Sequence, residues 1–192
     1  EKLSPQPNLQ WFFNNMGTVF TNQKEYQKAL QYTAKAILEA KRNKNTKTVG
    51  MIFSNRGWIY MLLNKNDSAL YSLEEAAKIS EKSNDMYTLV LSLGNLAGLY
   101  IRLKKYDKAY QYSYRSYKLS QQQNYKDQMA GSLITFGSIN IELGKYKDAE
   151  KYLMKGLNLS RQIENKSLIK DASLLLATLY EKEQDFKNAY EY

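Results

Sequence analysis

Phe136-Gly137-Ser138-Ile139-Asn140, followed by Gly144-Lys145-Tyr146-Lys147-Asp148-Ala149, reads as a helix carrying a glycine, a tight turn opened by Gly144, and a second helix carrying an alanine where the two cross. The pattern recurs along the chain. Gly17, Gly57, Ala97, Gly137 and Ala177 stand 40 residues apart, and so do Ala29, Ala69, Ala109, Ala149 and Ala189. An internal period of this length is the mark of a solenoid of helical hairpins. A glycine inside a helix costs about 0.5–1 kcal/mol relative to alanine, so its recurrence requires a compensating tertiary gain. That gain is close approach: helices come to about 8 Å only where the contacting side chains are small.

Apolar residues keep helical spacing on either side of these columns. Phe13, Met16, Gly17 and Phe20 form one stripe of the first A helix, read over 9–22; Ala29, Ala36 and Ile37 line its B helix, read over 25–42. Phe53, Gly57 and Tyr60, then Leu93, Leu96, Ala97 and Tyr100, repeat the A stripe. Thr46 or Thr48 is the expected N-cap of the second repeat, and Asn66-Asp67-Ser68 is expected to cap its B helix in place of the aromatic found at Tyr26, Tyr106, Tyr146 and Phe186. The tyrosines at 106, 110, 112, 114 and 117 span several faces of one helix and are read as core and rim packing.

Pro5 and Pro7 mark residues 1–8 as an extended lead-in. Residues 9–192 are read as one array with repeats at 9–45, 46–85, 86–125, 126–165 and 166–192, the last incomplete. The start at Glu1 without a methionine suggests a processed or cut chain. No apolar run approaches the length of a membrane span.

Composition limits the chemistry. There is no histidine and no cysteine, which removes the usual general base, the usual metal ligands and thiolate chemistry. Glu142, Asp171 and Glu181 show no pairing beyond that of a solvated helix face, so no enzyme, cofactor or metal site is expected. The net charge of +9 raises nucleic-acid binding as the alternative function. That alternative needs a contiguous basic stripe. Lys145, Lys147, Lys151 and Lys155 are instead interleaved with Asp148 and Glu150.

The columns resemble the tetratricopeptide repeat. The matches are Gly57-Trp58-Ile59-Tyr60 followed by Ala69 and Ala76, and Leu96-Ala97-Gly98-Leu99-Tyr100 followed by Ala109. One departure stands out. The family's unit is about 34 residues and closes with a proline, whereas this chain has Lys41, Glu81, Gln121 and Arg161 at that place. The longer period is attributed to helix B running on. HEAT and armadillo repeats share the period, but the two-helix register leaves no room for a third helix.

The resemblance implies an all-α, right-handed superhelical solenoid of antiparallel helix pairs, with the A helices on the concave side. It also implies a non-enzymatic scaffold binding a protein or peptide segment in that groove. The lysine- and asparagine-rich arrays it resembles are interaction or sensory regions of bacterial signalling and regulatory proteins, with an effector domain expected after Tyr192 and the compartment open between periplasm and cytoplasm. Groove positions are Asn15, Asn55 and Asn95, Thr18, Trp58 and Arg102, with Trp11 and Thr135 alongside. An asparagine amide offers both donor and acceptor to a peptide backbone, or serves the neighbouring helices instead. The lysine–arginine clamp that some relatives use for chaperone tails is missing, since Asn14, Gly94, Gly131 and Thr135 stand there. Arg56 is expected to snorkel to Glu74 or Glu75, or else to reach the groove.

Overall fold

Gly17, Gly57 and Gly137 of the A column each meet their B helix at close range in the computed structural model, which describes residues 8–192. The proline lead-in lies outside the described residues, apart from Asn8, which precedes the first helix. Helices follow one another with no strand among the described residues: α1 (Leu9–Asn22), α2 (Tyr26–Arg42), α3 (Thr46–Leu62), α4 (Asn66–Lys82), α5 (Met86–Arg102), α6 (Tyr106–Gln123), α7 (Lys126–Glu142), α8 (Tyr146–Gln162), α9 (Lys166–Lys182) and α10 (Phe186–Glu191). The chain forms two compact units, residues 1–95 and 96–192.

In the first unit α1 pairs with α2 and α3 with α4, while α2 also packs on α3 and α1 touches α3. Ala36 and Ala40 of α2 are buried with Val49 and Ile52 of α3. The Ser92 hydroxyl on α5 and the Ser54 hydroxyl on α3 share a hydrogen bond at 3.2 Å, which ties α3 to the part of α5 in this unit. In the second unit α7 pairs with α8, and α9 closes over both. Ile134, Leu153, Leu157, Ala172, Leu176 and Leu179 form its apolar centre.

Gly137 explains the tightness of the α7–α8 pair. A Cβ on it would fall 2.4 Å from Leu153 Cγ and 3.3 Å from the Ala149 carbonyl oxygen. The crossing therefore brings the glycine against the Ala149 backbone, as the two columns predict, while the side chain it accommodates is Leu153, one turn on. Gly57 stands in the same relation to Leu73, at 2.5 Å, and Gly17 to Thr33, at 2.8 Å.

The helix-to-helix turns share one geometry. At Lys24, Lys44, Asn64, Asn84, Lys104, Asn124, Gly144, Glu164 and Gln184 the backbone is left-handed, with φ from 53° to 70°. Around Lys104, the Lys105 N–H donates to Tyr100 O at 2.9 Å and the Lys104 N–H to Ile101 O at 2.8 Å, the paired bonds of a Schellman cap. Lys105 then serves as N-cap of α6. One residue thus closes one helix and opens the next, which shortens the connection to three residues. Because α3, α4, α7, α8 and α9 are each 17 residues long, A and B helices share the length of the period equally. The extra length is not confined to helix B.

Left-handed backbone is unfavourable for residues with a Cβ by about 1–2 kcal/mol. Lys104→Gly is therefore expected to raise stability by about 0.5–1 kcal/mol after the added freedom of the unfolded chain is subtracted. Asn124→Gly should give less, since asparagine tolerates this conformation. Urea denaturation followed by circular dichroism measures both.

Two capping expectations are corrected. The N-cap of α3 is Asn45, whose Oδ1 accepts from the Thr48 N–H at 3.2 Å; Thr46 and Thr48 lie inside the helix, where their hydroxyls do not reach the free amides. At α4 the N-cap is Lys65, with no side-chain cap, and Asn66 Oδ1 is buried without a hydrogen-bond partner among the described residues. Only Asp67 in the first turn complements the helix dipole there.

Candidate ligand-binding face

Where α1 and α3 meet, Gly17 and Thr33 form the floor of a hollow of about 150 Å³. Thr18, Thr21 and Asn22 of α1 border it on one side, and Asn55, Trp58 and Ile59 of α3 on the other. The missing side chain at Gly17 lets the Thr33 methyl of α2 take the space its Cβ would fill, so Thr33 reaches the hollow. Trp58 stands beside it 46% exposed.

Three of the positions expected from the sequence, Thr18, Asn55 and Trp58, are thus brought around one hollow. The Thr18 hydroxyl donates to Asn14 O at 3.3 Å and that of Thr21 to Gly17 O at 2.7 Å. Asn55 is half-buried, and its Nδ2 donates to Asn14 Oδ1 at 3.0 Å. One donor of this asparagine is therefore spent on the neighbouring helix, and no hydrogen bond to its Oδ1 occurs among the described residues. No Asp, Glu, Lys or Arg lines the hollow.

The remaining expected positions lie elsewhere. Asn15 is exposed on α1 and Asn95 half-buried on α5, both in the first unit but outside the hollow; Arg102 is exposed at the end of α5, in the second unit. Trp11 is 40% exposed on α1. Sequence reasoning missed Asn14, which is only 6% exposed and sets the orientation of Asn55. Its signal was an amide in a column filled by Ser54, Gly94, Ile134 and Leu174 elsewhere.

Arg56 is a second correction. It reaches neither Glu74 or Glu75 nor the open face. Its guanidinium donates to Leu30 O at 3.0 Å and Thr33 Oγ1 at 3.2 Å on α2, and to the Tyr60 hydroxyl at 3.0 Å. A planar fork finds a helix carbonyl and two hydroxyls at the α2–α3 junction, and these replace water for a half-buried cation.

The tyrosine-rich helix α6 packs as expected on one side. Tyr110 and Tyr117 lie against Phe136 of α7, at centroid distances of 5.1 and 6.1 Å. Tyr110 and Tyr114 stack on each other and remain 43% and 47% exposed. Burial and the neighbouring Tyr152 and Tyr114 push the Tyr110 phenol above its ordinary range, so it stays a neutral hydrogen-bonding group.

The tetratricopeptide repeat family matches residues 88–162, and the anaphase-promoting complex subunit 5 family matches residues 12–102. No curated protein matches the chain. Among solved structures the chain is similar to a Rap protein complexed with competence and sporulation factor, with 17% identity, a TM-score of 0.85, and coverage of 95% of this chain and 51% of that one. It is similar to a signal-transduction ATPase of the STAND class with a tetratricopeptide repeat sensor from Pyrococcus horikoshii, with 18% identity, a TM-score of 0.79, and coverage of 95% and 28%. It is also similar to kinesin light chain nearly identical TPR-like repeats from Podosopora anserina, with 13% identity, a TM-score of 0.73, and coverage of 98% and 92%. These likenesses give the fold, an all-α TPR-like solenoid. The chain spans about half the length of the Rap protein and less of the ATPase.

Proposed function

We propose that this chain, a tetratricopeptide-like helical-repeat protein, is a scaffold that binds a peptide or protein segment on the exposed face of its A helices, as the interaction or sensory region of a larger bacterial regulatory protein. The observation that carries the reading is the convergence of Thr18, Asn55 and a half-exposed Trp58 on one hollow of that face. A tryptophan beside amides and hydroxyls is the composition of an anchoring pocket, with a broad apolar surface and directional polar groups at its rim. The similar Rap structure holds competence and sporulation factor, and the similar ATPase carries its repeats as a sensor, which supports a regulatory setting.

The test is pull-down and mass spectrometry with the intact chain as bait, followed by titration of the recovered segment. Trp58→Ala is expected to weaken that binding about tenfold, equivalent to about 1.4 kcal/mol. Because Trp58 is exposed, the urea midpoint should stay within about 0.5 kcal/mol of the parent protein. Undiminished binding by Trp58→Ala would place the ligand on another surface.

A further inference from the structure

The exposed positions of the first unit's A-helix row, among them Trp11, Asn15, Thr18, Trp58 and Leu91, are almost free of charge. α1 carries no Asp, Glu, Lys or Arg, and neither do residues 86–95 of α5; α3 carries Lys47 in its first turn and Arg56, which α2 holds. The contrast lies within the same unit: α4 alone carries Asp67, Glu74, Glu75, Lys78, Glu81 and Lys82. In a chain of net charge +9, this row shows an apolar line of Trp11, Met51 and Leu91, with an amide line of Asn15, Asn55 and Asn95 one helical turn below it. A helix face left to water ordinarily carries charge. This one is composed like a surface that is covered, by something that needs no counter-charge.

We infer that the ligand of this face is an extended, uncharged polypeptide segment with a large apolar side chain that fills the hollow beside Trp58. The inference rests on the peptide-binding reading above and names its ligand class. A charged side chain laid on this face would lose water without gaining an opposite charge, which disfavours it. A bare apolar ligand would leave the amide line unused. An extended peptide satisfies both lines, because its backbone presents a donor and an acceptor at every residue and its side chains alternate in direction. Neighbouring helices lie about 8–10 Å apart, and three extended residues span about 10 Å, so every third residue of the segment meets an asparagine.

The experiment presents the intact chain with three pools of capped synthetic peptides, each about ten residues long, to span three helices. One pool is randomised over Gly, Ser, Thr, Asn, Gln, Val, Leu, Phe and Tyr. The other two carry Asp or Glu, or Lys or Arg, at every third position. The readouts are the side-chain amide resonances of Asn15, Asn55 and Asn95 and the affinity at roughly 50 and 500 mM salt. The neutral pool is expected to shift these resonances with less than about a twofold change in affinity between the two salt concentrations. Thr18→Lys is expected to weaken that binding about tenfold. If a charged pool shifts them instead, with steep salt dependence, the face binds peptides but the inferred ligand class is wrong. If no pool shifts them, the inference and the peptide-binding reading fall together.

Discussion

Gly137→Val is expected to destabilise the second unit by about 3 kcal/mol, at the upper end of what overpacking costs. A Cβ at Gly137 would lie 2.4 Å from Leu153 Cγ and 2.5 Å from its Cδ2. Cγ is the branch point of a fully buried leucine that packs with Ala172 and Leu176, so it has no vacant space to swing into. Relief comes only from moving α8 away from α7. Gly137→Ala introduces the same clash with one methyl. Overpacking costs about 1–3 kcal/mol, and the better helix propensity of alanine returns up to about 1.

Gly131 supplies the control, being on the same helix. Its Cβ would meet only Leu168 Cδ2, at 4.0 Å, so Gly131→Ala should stabilise by about 0.5–1 kcal/mol. Opposite signs for one substitution in one helix separate close approach from propensity. Leu153→Ala alone should cost about 2–5 kcal/mol. The double variant Gly137→Ala, Leu153→Ala should be less destabilised than the sum, because the added methyl enters the space that Leu153 leaves. Urea denaturation of the four proteins gives the cycle; simple additivity would mean that the two residues do not limit the approach of the helices.

The second large effect is expected at Arg56. Arg56→Ala should destabilise the first unit by about 2 kcal/mol, since hydrogen bonds from a charged donor are each worth about 1.5–3 and this one is half-buried rather than enclosed. It removes the links to Leu30 O, Thr33 Oγ1 and the Tyr60 hydroxyl together. Arg56→Met separates the contributions. Met16, Leu96, Phe136 and Leu176 hold the same column in the other repeats, so an apolar side chain keeps the packing of the stem while losing the bonds. Arg56→Met is expected to lose about half as much as Arg56→Ala. Equal stability of Arg56→Met and the parent would show that packing alone holds α3 to α2 at this point.

Arg56 also shows where reading a sequence stops. Its column and its helix were legible, because both follow from periodicity. Its partners were not, since Glu74 and Glu75, the acidic residues it was expected to reach, lie on α4 while the guanidinium faces α2. The candidate site divides in the same way. Thr18, Asn55 and Trp58 were marked by register, but that they share a hollow depends on how α1 seats against α3 over the side-chain-free Gly17. Asn14 was passed over because a buried amide looks, in sequence, like any other polar residue on a helix.

The turns mark the boundary most clearly. Gly144 and, more weakly, Asn64, Asn84 and Asn124 announce their left-handed conformation; Lys24, Lys44, Lys104, Glu164 and Gln184 do not. By itself the sequence determined the helices, their pairing and the repeat of the pairs, because small residues at fixed intervals are a one-dimensional signal with a steric meaning. Only the tertiary structure decided the turn conformations, the Asn14–Asn55 bond, the anchoring of Arg56 and the hollow beside Trp58. Each of these arises where two packed helices impose a geometry that neither would adopt alone, and the packing energy of the pair exceeds the local preference of the residue that must comply.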